Sequence, residues 1–194
     1  MERKPTLTTI AIEKLHPHPD NPRKVLGDID ELADSIKASG ILQNLTVVPM
    51  NDDWTEFTVI IGHRRLAAAK QAGLTELPCA VVKMTEKEQL STMLTENMQR
   101  SDLTVYEEAK GCQLLLDLGD TVAEVAEKTG FSESKIRRRV KLCELDEEAF
   151  KESQIRQPTL ADYDRLNQIK DIDTRNKLLK TIGTNNFDNL LYLS

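Results

Sequence analysis

The chain changes its hydrophobic period once, near residue 100, and this change constrains the fold more than any other feature. Before it, β-branched runs such as LTVVP (45–49) and EFTVII (56–61) alternate with helical segments. From about residue 105 onward, apolar residues recur only at helical spacing. The pattern therefore predicts an α+β chain, with an α/β domain over residues 1–103 followed by an all-α domain over residues 104–194.

Composition and charge exclude several classes of protein. Charged residues make up 30% and hydrophobic residues 39% of the 194 residues, as is typical of soluble globular proteins. The chain has no apolar run of membrane-spanning length and no signal-peptide core, so we expect a cytoplasmic location without a membrane partner. The formal net charge of −6 argues against nonspecific coating of nucleic acid by the whole surface. A local basic cluster is still compatible with that charge.

The cysteines indicate a reducing compartment. The three of them, Cys79, Cys112 and Cys143, are odd in number and widely spaced, with no CxxC pair. This arrangement favours reduced thiols in the core over a disulfide framework or a zinc site.

The segment TVAEVAEKTGFSESKIRRRVKLCEL begins at residue 121 and follows the logic of a helix-turn-helix over residues 121–143. A short helix ends at Gly130, Ser132 caps a second helix, and the charge of that second helix is strongly positive. We predict that the second helix contacts DNA through six residues, Ser132, Lys135, Arg137, Arg138, Arg139 and Lys141. The alternative is a solvated basic helix in an all-α domain.

The segment TVIIGHRRLAAAKQAG (58–73) joins a β-branched strand to a helix through a glycine and two arginines. Such a turn directs backbone N–H groups and the positive end of a helix dipole toward one small volume. The guanidinium groups of Arg64 and Arg65 are fixed positive charges that suit phosphate oxygens. The turn therefore indicates an anion site at Gly62, Arg64 and Arg65, although pairing of both arginines with surface acids would explain the same pattern.

A second polar cluster lies in TENMQRSDL, where Glu96, Asn97 and Arg100 stand near the end of a predicted helix. A carboxylate and an amide oxygen are ligands that suit Mg²⁺ when phosphates and waters complete its shell. The alternative is an ordinary solvated helix end. Arg23 offers one more cation after HPHPDN, and Gln43 lies in a turn from which its amide could read a base.

These motifs, in this order, resemble those of the ParB family of partition proteins over roughly residues 7–183. The resemblance is carried by NPRK (21–24), SIKASGILQNLTVVP (35–49), IIGHRRLAAAKQAGL (60–74), ENMQRSDLTVYEEA (96–109) and the helix-turn-helix. It implies an N-terminal domain of the ParB/sulfiredoxin fold and a helical DNA-binding domain. It also implies that the C-terminal dimerisation domain of full-length members is absent.

For the N-terminal domain, the resemblance implies a site for CTP and Mg²⁺. Gly62, His63, Arg64 and Arg65 would cradle the triphosphate, and Arg23 and Arg100 would add positive charge. Glu96 and Asn97 would hold the metal, Asn97 would also contact the nucleotide, and Gln43 would lie near the base. The family most often has glutamate where His63 stands, which puts CTP hydrolysis in question more than phosphate binding.

For the whole protein, the resemblance implies recognition of a palindromic, centromere-like site in double-stranded DNA. Nucleotide binding would close two N-terminal domains of a homodimer into a clamp that slides along DNA, with slow CTP hydrolysis resetting the switch. A ParA-type ATPase would be a further partner.

Other functions compatible with the motifs are a ParB-like transcription or nucleoid-occlusion factor and a ParB-like nuclease. Metal-assisted cleavage of DNA usually needs two or more clustered acids, whereas this motif supplies only Glu96, which disfavours the nuclease. Sulfiredoxin chemistry is disfavoured, because Gly62 stands where that enzyme has its reactive cysteine.

Overall fold

The computed structural model describes residues 4–22 and 26–192. It divides into two compact units, Met1–Asn97 and Met98–Ser194. The division falls a few residues before the domain boundary that the sequence predicts after residue 103.

The first unit is built on a five-stranded mixed sheet with the strand order β1-β5-β3-β4-β2. Its strands are β1 (Thr6–Ala11), β2 (Leu15–Pro17), β3 (Leu45–Pro49), β4 (Phe57–Ile61) and β5 (Glu76–Val81). The β1/β5 and β3/β4 pairs are antiparallel, whereas the β3/β5 and β2/β4 pairs are parallel. The β-branched runs of the sequence supply the central strands, because such side chains pack well on a pleated surface.

Among the described residues, three α-helices accompany this sheet, α1 (Asp30–Ser39), α2 (His63–Gln71) and α3 (Glu86–Met98). Alternate strand residues point to opposite faces of a sheet, so each strand contributes to two cores. Val47 and Val59 belong to the larger core with residues of α1 and α2. Their neighbours Val48 and Ile60 pack with Met93 of α3 in a smaller one. The sheet is therefore covered on both faces, and the end of β4 is held rigidly next to the start of α2.

The second unit is helical. Its helices are α4 (Val105–Asp117), α5 (Val122–Thr129), α6 (Glu133–Leu142), α7 (Glu147–Ser153), α8 (Leu160–Leu166), α9 (Ile172–Leu179) and α10 (Asn185–Tyr192). Its core contains the edge-to-face rings of Phe150 and Tyr163, with Leu166, Leu179 and Phe187 packed around them. The predicted order of a mixed α/β part followed by helices is therefore confirmed.

Two further sequence expectations concern the cysteines and membranes. Cys79 and Cys112 are buried, Cys143 is partly buried, and all three are free. Burial raises the pKa of the Cys79 and Cys112 thiols to about 11, so both stay protonated at neutral pH. Within the described ranges, no helix has the length and apolar character that crossing a bilayer requires.

Candidate functional site

The turn between β4 and α2 is fixed by Gly62. Its φ of +108° lies in the region that L side chains rarely adopt, and no side chain caps the helix that starts at His63. A Cβ added to Gly62 would lie 3.0 Å from Cγ of Leu45 and 3.4 Å from Cζ of Arg65. The turn is therefore reserved for glycine, and the first N–H groups of α2 are left without a capping side chain.

Helix α2 begins at His63, which places His63, Arg64 and Arg65 in its first turn. The reason is that the positive φ of Gly62 ends the strand and starts the helix within a single residue. Both arginines consequently project from a rigid helix end rather than from a loop.

The two arginines hold backbone carbonyls. Arg64 Nη2 donates to the carbonyl oxygen of Asp28 at 2.8 Å. Arg65 Nη1 donates to the carbonyl oxygens of Gln43 and Asn44 at 2.5 and 2.9 Å. In the part of the chain that the structure describes, neither guanidinium lies within salt-bridge distance of a carboxylate, so direct ion pairs with surface acids do not account for them. Each guanidinium keeps further N–H donors beyond these contacts.

Glu96 lies close enough to Arg65 for their charges to interact. Burial lowers the pKa of the Arg65 guanidinium, and the carboxylate of Glu96 opposes that shift. Glu96 is exposed near the end of α3, and Asn97 is the next residue of the same helix. Among the described residues, no three His, Cys, Asp or Glu side chains converge as a complete metal site. A cation here would therefore need phosphate or water oxygens besides Glu96 and Asn97.

The other predicted nucleotide contacts, Gln43, Arg100 and Arg23, stay predictions. Gln43 is exposed, and its backbone carbonyl is the group that Arg65 holds. Arg100 belongs to the second unit, where its guanidinium forms two hydrogen bonds with Asp102, of 3.0 and 2.7 Å. Arg23 lies outside the described residues. Its place in the site stays a prediction.

His63 ties the loop that follows β2 to the start of α2. Its Nε2 accepts a hydrogen bond from the backbone N–H of His18 at 3.3 Å, and its ring also bonds to the backbone of Val59. Burial and the neighbouring His18 lower the pKa of His63 to about 4, with the Val59 bond opposing them. His63 is therefore neutral at pH 7, with its proton on the nitrogen that faces Val59.

This arrangement makes the stability of the first unit depend on pH. The pKa of His63 is about 4 in the folded chain against 6.5 ordinarily, so only the unfolded chain binds this proton between those values. The contribution of His63 to the free energy of unfolding should be fully present above pH 6.5 and should be lost as the pH drops toward 4. Allowing for the partial exposure of the ring, we expect His63 to account for roughly 1 kcal/mol of loss by about pH 5.

Urea unfolding of the wild type and of His63→Gln at about pH 7.5 and about pH 5 measures this effect. Glutamine keeps an acceptor for the His18 N–H but does not titrate, so its loss should be smaller by that amount. His16→Gln removes an exposed histidine of β2 whose ring bonds to Glu56 at 2.6 Å, and it shows how much of the pH effect comes from another histidine of the same unit. An equal loss in wild type and His63→Gln would contradict the assignment.

A cleft opens beside this turn. Its volume is about 280 Å³, and it lies between the loop of His18 and Asn21 on one side and α2, with His63, Leu66 and Lys70, on the other. Pro17, Leu66 and Ala67 give it apolar walls, and His18, Asn21 and Lys70 add polar groups, a combination that suits a small molecule. The rigid N-terminus of α2 and the cleft are contiguous through His63.

The second candidate surface is the pair α5 and α6. Thr121 and Glu124 form a capping box at the start of α5, and Gly130 ends that helix with a φ of +75°. Ser132 then accepts a hydrogen bond from the N–H of Lys135 at 3.2 Å, which caps α6. Helix α5, the turn at Gly130 and helix α6 lie within residues 121–143.

Two of the predicted DNA contacts on α6 are engaged inside the second unit, and one of them, Arg139, does not lie on its outer face. Arg139 is buried, with 5% of its surface exposed, and its Nε donates to Oε2 of Glu108 at 2.6 Å. Lys135 is partly buried, since its Nζ donates to Oε1 of Glu108 and lies 3.4 Å from the ring centre of Phe131. Arg139 lies on the buried stripe of α6 with Ile136 and Leu142, whereas the side chain of Lys135 is still 30% exposed. The exposed cations of α6 are Arg137, Arg138 and Lys141.

Sequence reasoning missed two acids that organise this surface. Glu108 of α4 holds Lys135 and Arg139 together, and Asp164 of α8 holds Arg138 at 3.1 Å. Glu108 lies 27 residues from Lys135 and 31 from Arg139, and Asp164 lies 26 residues from Arg138. No local sequence pattern predicts pairs at such separations. One signal was present for Glu108. Thr104 and Glu107 already complete the capping box of α4, which leaves the adjacent acid free for another role.

Comparison with known proteins places these features in context. The ParB N-terminal domain matches residues 1–98. The chromosome-partitioning protein Spo0J of Thermus thermophilus is 40% identical over 143 residues, which are 73% of this chain and 52% of that protein. A nucleoid occlusion protein of Listeria innocua is 35% identical over 141 residues, 71% of this chain and 49% of that protein. The chain spans about half the length of the curated relatives it matches.

Among solved structures, the chain is similar to C-terminally truncated ParB of Caulobacter crescentus in complex with the centromeric parS site. The TM-score is 0.72 at 26% identity, and the similarity covers 96% of this chain and 97% of that one. This similarity extends through both units of the chain.

Proposed function

Because the chain belongs to the ParB N-terminal domain family, we propose that it is a CTP-dependent, sequence-specific DNA-binding protein of the partition type. Its location would be the cytoplasm, on a nucleoid or plasmid. The observation that carries the proposal is the rigid Gly62 turn, which directs two fixed cations and an uncapped helix end at one place. Similarity to a ParB chain solved on parS DNA supports the DNA-binding half.

The triphosphate of CTP would lie at the N-terminus of α2. The uncapped N–H groups of the first turn and the helix dipole attract an anion there, and Arg64 and Arg65 add charged donors. Both guanidinium groups are already oriented by backbone carbonyls, so little side-chain entropy is lost when phosphate binds. The contiguous cleft beside His63 would take the nucleoside. CTP is the nucleotide implied by the resemblance of the GHRR and ENMQR segments to the ParB motifs.

Mg²⁺ fits the same place. Glu96 lies within electrostatic reach of Arg65, and Asn97 adds an amide oxygen, so a cation shared with the phosphates would find two protein ligands. The ion would neutralise phosphate charge. His63 adds no carboxylate to this set, and it is neutral, so the residues support nucleotide binding more directly than hydrolysis.

The DNA would be contacted by α6 from its exposed side. Arg137, Arg138 and Lys141 are exposed there, and Ser132 stands at the N-terminus of the helix, where phosphates are favoured. A palindromic site is read by two copies of such a helix, so we include a homodimer in the proposal. In this scheme nucleotide binding closes two N-terminal domains around the DNA.

Equilibrium binding of labelled CTP with Mg²⁺ tests the proposal. We expect saturable binding that is stronger than that of ATP or UTP and that increases when a duplex bearing a parS site is added, because closure couples the two ligands. A scrambled duplex of equal length is the control and should leave the CTP affinity lower. Absence of CTP binding at millimolar nucleotide, with or without DNA, would refute the nucleotide half.

A second candidate is nucleoid occlusion. It is favoured by the 35% identity to the nucleoid occlusion protein of Listeria innocua. The two functions share the nucleotide site and differ in partner and target. A ParA-type ATPase encoded beside this chain, and binding of that ATPase to it, would support partition.

A further inference from the structure

The cations of α6 are all engaged inside the second unit, but in two different ways. The inner pair, Lys135 and Arg139, shares the largely buried carboxylate of Glu108. The outer cations contact Glu133, Asp164 and the carbonyl oxygen of Asn167, all at or near the surface. The inner contacts are structural, whereas the outer ones occupy the donors that DNA would use.

The pair of Arg138 and Asp164 is the most informative of the outer contacts. Arg138 Nη1 lies 3.1 Å from Oδ2 of Asp164, and the two side chains are 53% and 41% exposed. An exposed pair of this kind adds little to stability and exchanges readily with solvent. Asp164 also takes no part in capping its own helix, because Thr159 and Asp162 form the capping box of α8.

Glu133 differs from Asp164 in this respect. It lies in the first turn of α6 and pairs with Arg137 one turn further on. A carboxylate at that place stabilises the helix through its dipole and through the i,i+4 pair. Asp164 reaches α6 from another helix, and the carbonyl of Asn167 at the end of α8 holds Lys141 from the same side. Helix α8 thus places two hydrogen-bond acceptors, the carboxylate of Asp164 and the carbonyl of Asn167, next to the exposed face of α6.

We propose that Asp164 is an intramolecular competitor that occupies Arg138 in place of a DNA phosphate and thereby lowers the affinity of α6 for DNA. The inference rests on the proposed use of α6 as the DNA-binding helix. A phosphate that approaches Arg138 must either displace Asp164 or use the remaining donors and bind next to its negative charge. Both effects weaken binding, and both vanish when the side chain is neutral.

The test compares Asp164→Asn with the wild type on a parS duplex and on a scrambled duplex at low salt. Asparagine preserves the size of the side chain and removes the charge. We expect roughly two- to fivefold tighter binding to both duplexes, the range that exposed ion pairs allow. The gain should shrink as salt is raised, because screening weakens the competing pair.

Two controls separate competition from a general change in charge. Asp188→Asn neutralises another exposed aspartate that pairs with an arginine, Arg165 at 2.6 Å, on α10 of the same unit, and should leave DNA affinity unchanged. In an Arg138→Ala background, Asp164→Asn should give no gain, since the competitor then has nothing to compete for.

Weaker or unchanged DNA binding by Asp164→Asn would overturn the inference, and weaker binding would make Asp164 a residue that orients Arg138 toward DNA. A gain that persists in the Arg138→Ala background would overturn it as well. If the wild type binds neither duplex, the proposed DNA-binding function fails instead, and that result is distinct from both.

Discussion

Replacing Glu108 with alanine is expected to lower the free energy of unfolding of the second unit by about 3–5 kcal/mol, the usual cost of breaking a buried ion pair from one side. The carboxylate accepts from Arg139 at 2.6 Å and from Lys135 at 2.7 Å, and Arg139 is only 5% exposed. Without Glu108, the Arg139 guanidinium would stay buried without its carboxylate, or the contact between α4 and α6 would open. Urea unfolding followed by circular dichroism measures the loss.

Three further variants distinguish the loss of the charge from the loss of the hydrogen bonds and from the general effect of removing an acid. Glu108→Gln keeps one acceptor oxygen but no charge, so its loss should be smaller than that of alanine. The double variant Glu108→Leu/Arg139→Met replaces the most buried pair by apolar groups and leaves Lys135, which is 30% exposed and can turn to solvent, so it should recover most of the stability. Glu127→Ala, at an exposed position of α5, controls for the loss of an acid and should change the free energy of unfolding by less than about 0.5 kcal/mol. A loss for Glu108→Ala as small as that of the control would show that Arg139 reaches solvent at no cost.

The burial of Arg139 on α6 could not be predicted from the sequence. Periodicity alone places residue 139 on the buried stripe, three residues after Ile136 and three before Leu142. Charge alone places an arginine on the surface, and the sequence prediction followed the charge. The conflict is resolved by Glu108, which precedes Arg139 by 31 residues and lies on another helix. Long-range pairs of this kind follow from tertiary packing, which a single sequence does not display.

The local elements, in contrast, were predictable because their signals are local. Thr85 and Glu88 form the capping box that their spacing predicts, with bonds of 2.7 and 3.3 Å between side chain and backbone N–H. Gly130 and Ser132 mark the end of α5 and the start of α6 through a positive φ and a side-chain cap. Helix ends are set by groups within three or four residues, so the residues themselves carry the information.

The Gly62 turn was predictable only in part. Its strand, glycine and helix are predictable from the sequence, and so is its surplus of positive charge. The carbonyls of Asp28, Gln43 and Asn44 that orient the arginines are 36, 22 and 21 residues away and were not predictable. The contact of the Gln43 carbonyl is of this kind, because backbone acceptors have no sequence signature, and a base-reading role for its side-chain amide stays a prediction.

Replacing Arg65 with alanine is expected to weaken CTP binding by roughly 10- to 100-fold, which corresponds to the loss of one charged hydrogen-bonding group. The guanidinium has two tasks, since it would contact phosphate while its Nη1 holds the turn of Gln43 and Asn44. Arg65→Lys keeps the charge but not the planar fork, so it should recover only part of the affinity. Titration of labelled CTP with Mg²⁺ against each variant gives the values.

Arg64→Ala separates the two tasks, because Arg64 holds a single carbonyl, that of Asp28, and its loss leaves the turn at Gln43 intact. We expect both alanine variants to lose CTP, with the larger loss for Arg65. DNA binding in the absence of nucleotide is the internal control and should survive in both, since the exposed cations of α6 belong to the second unit. If Arg65→Ala kept wild-type affinity for CTP while remaining folded, the turn would serve only to hold its own loops, and the nucleotide would have to bind elsewhere.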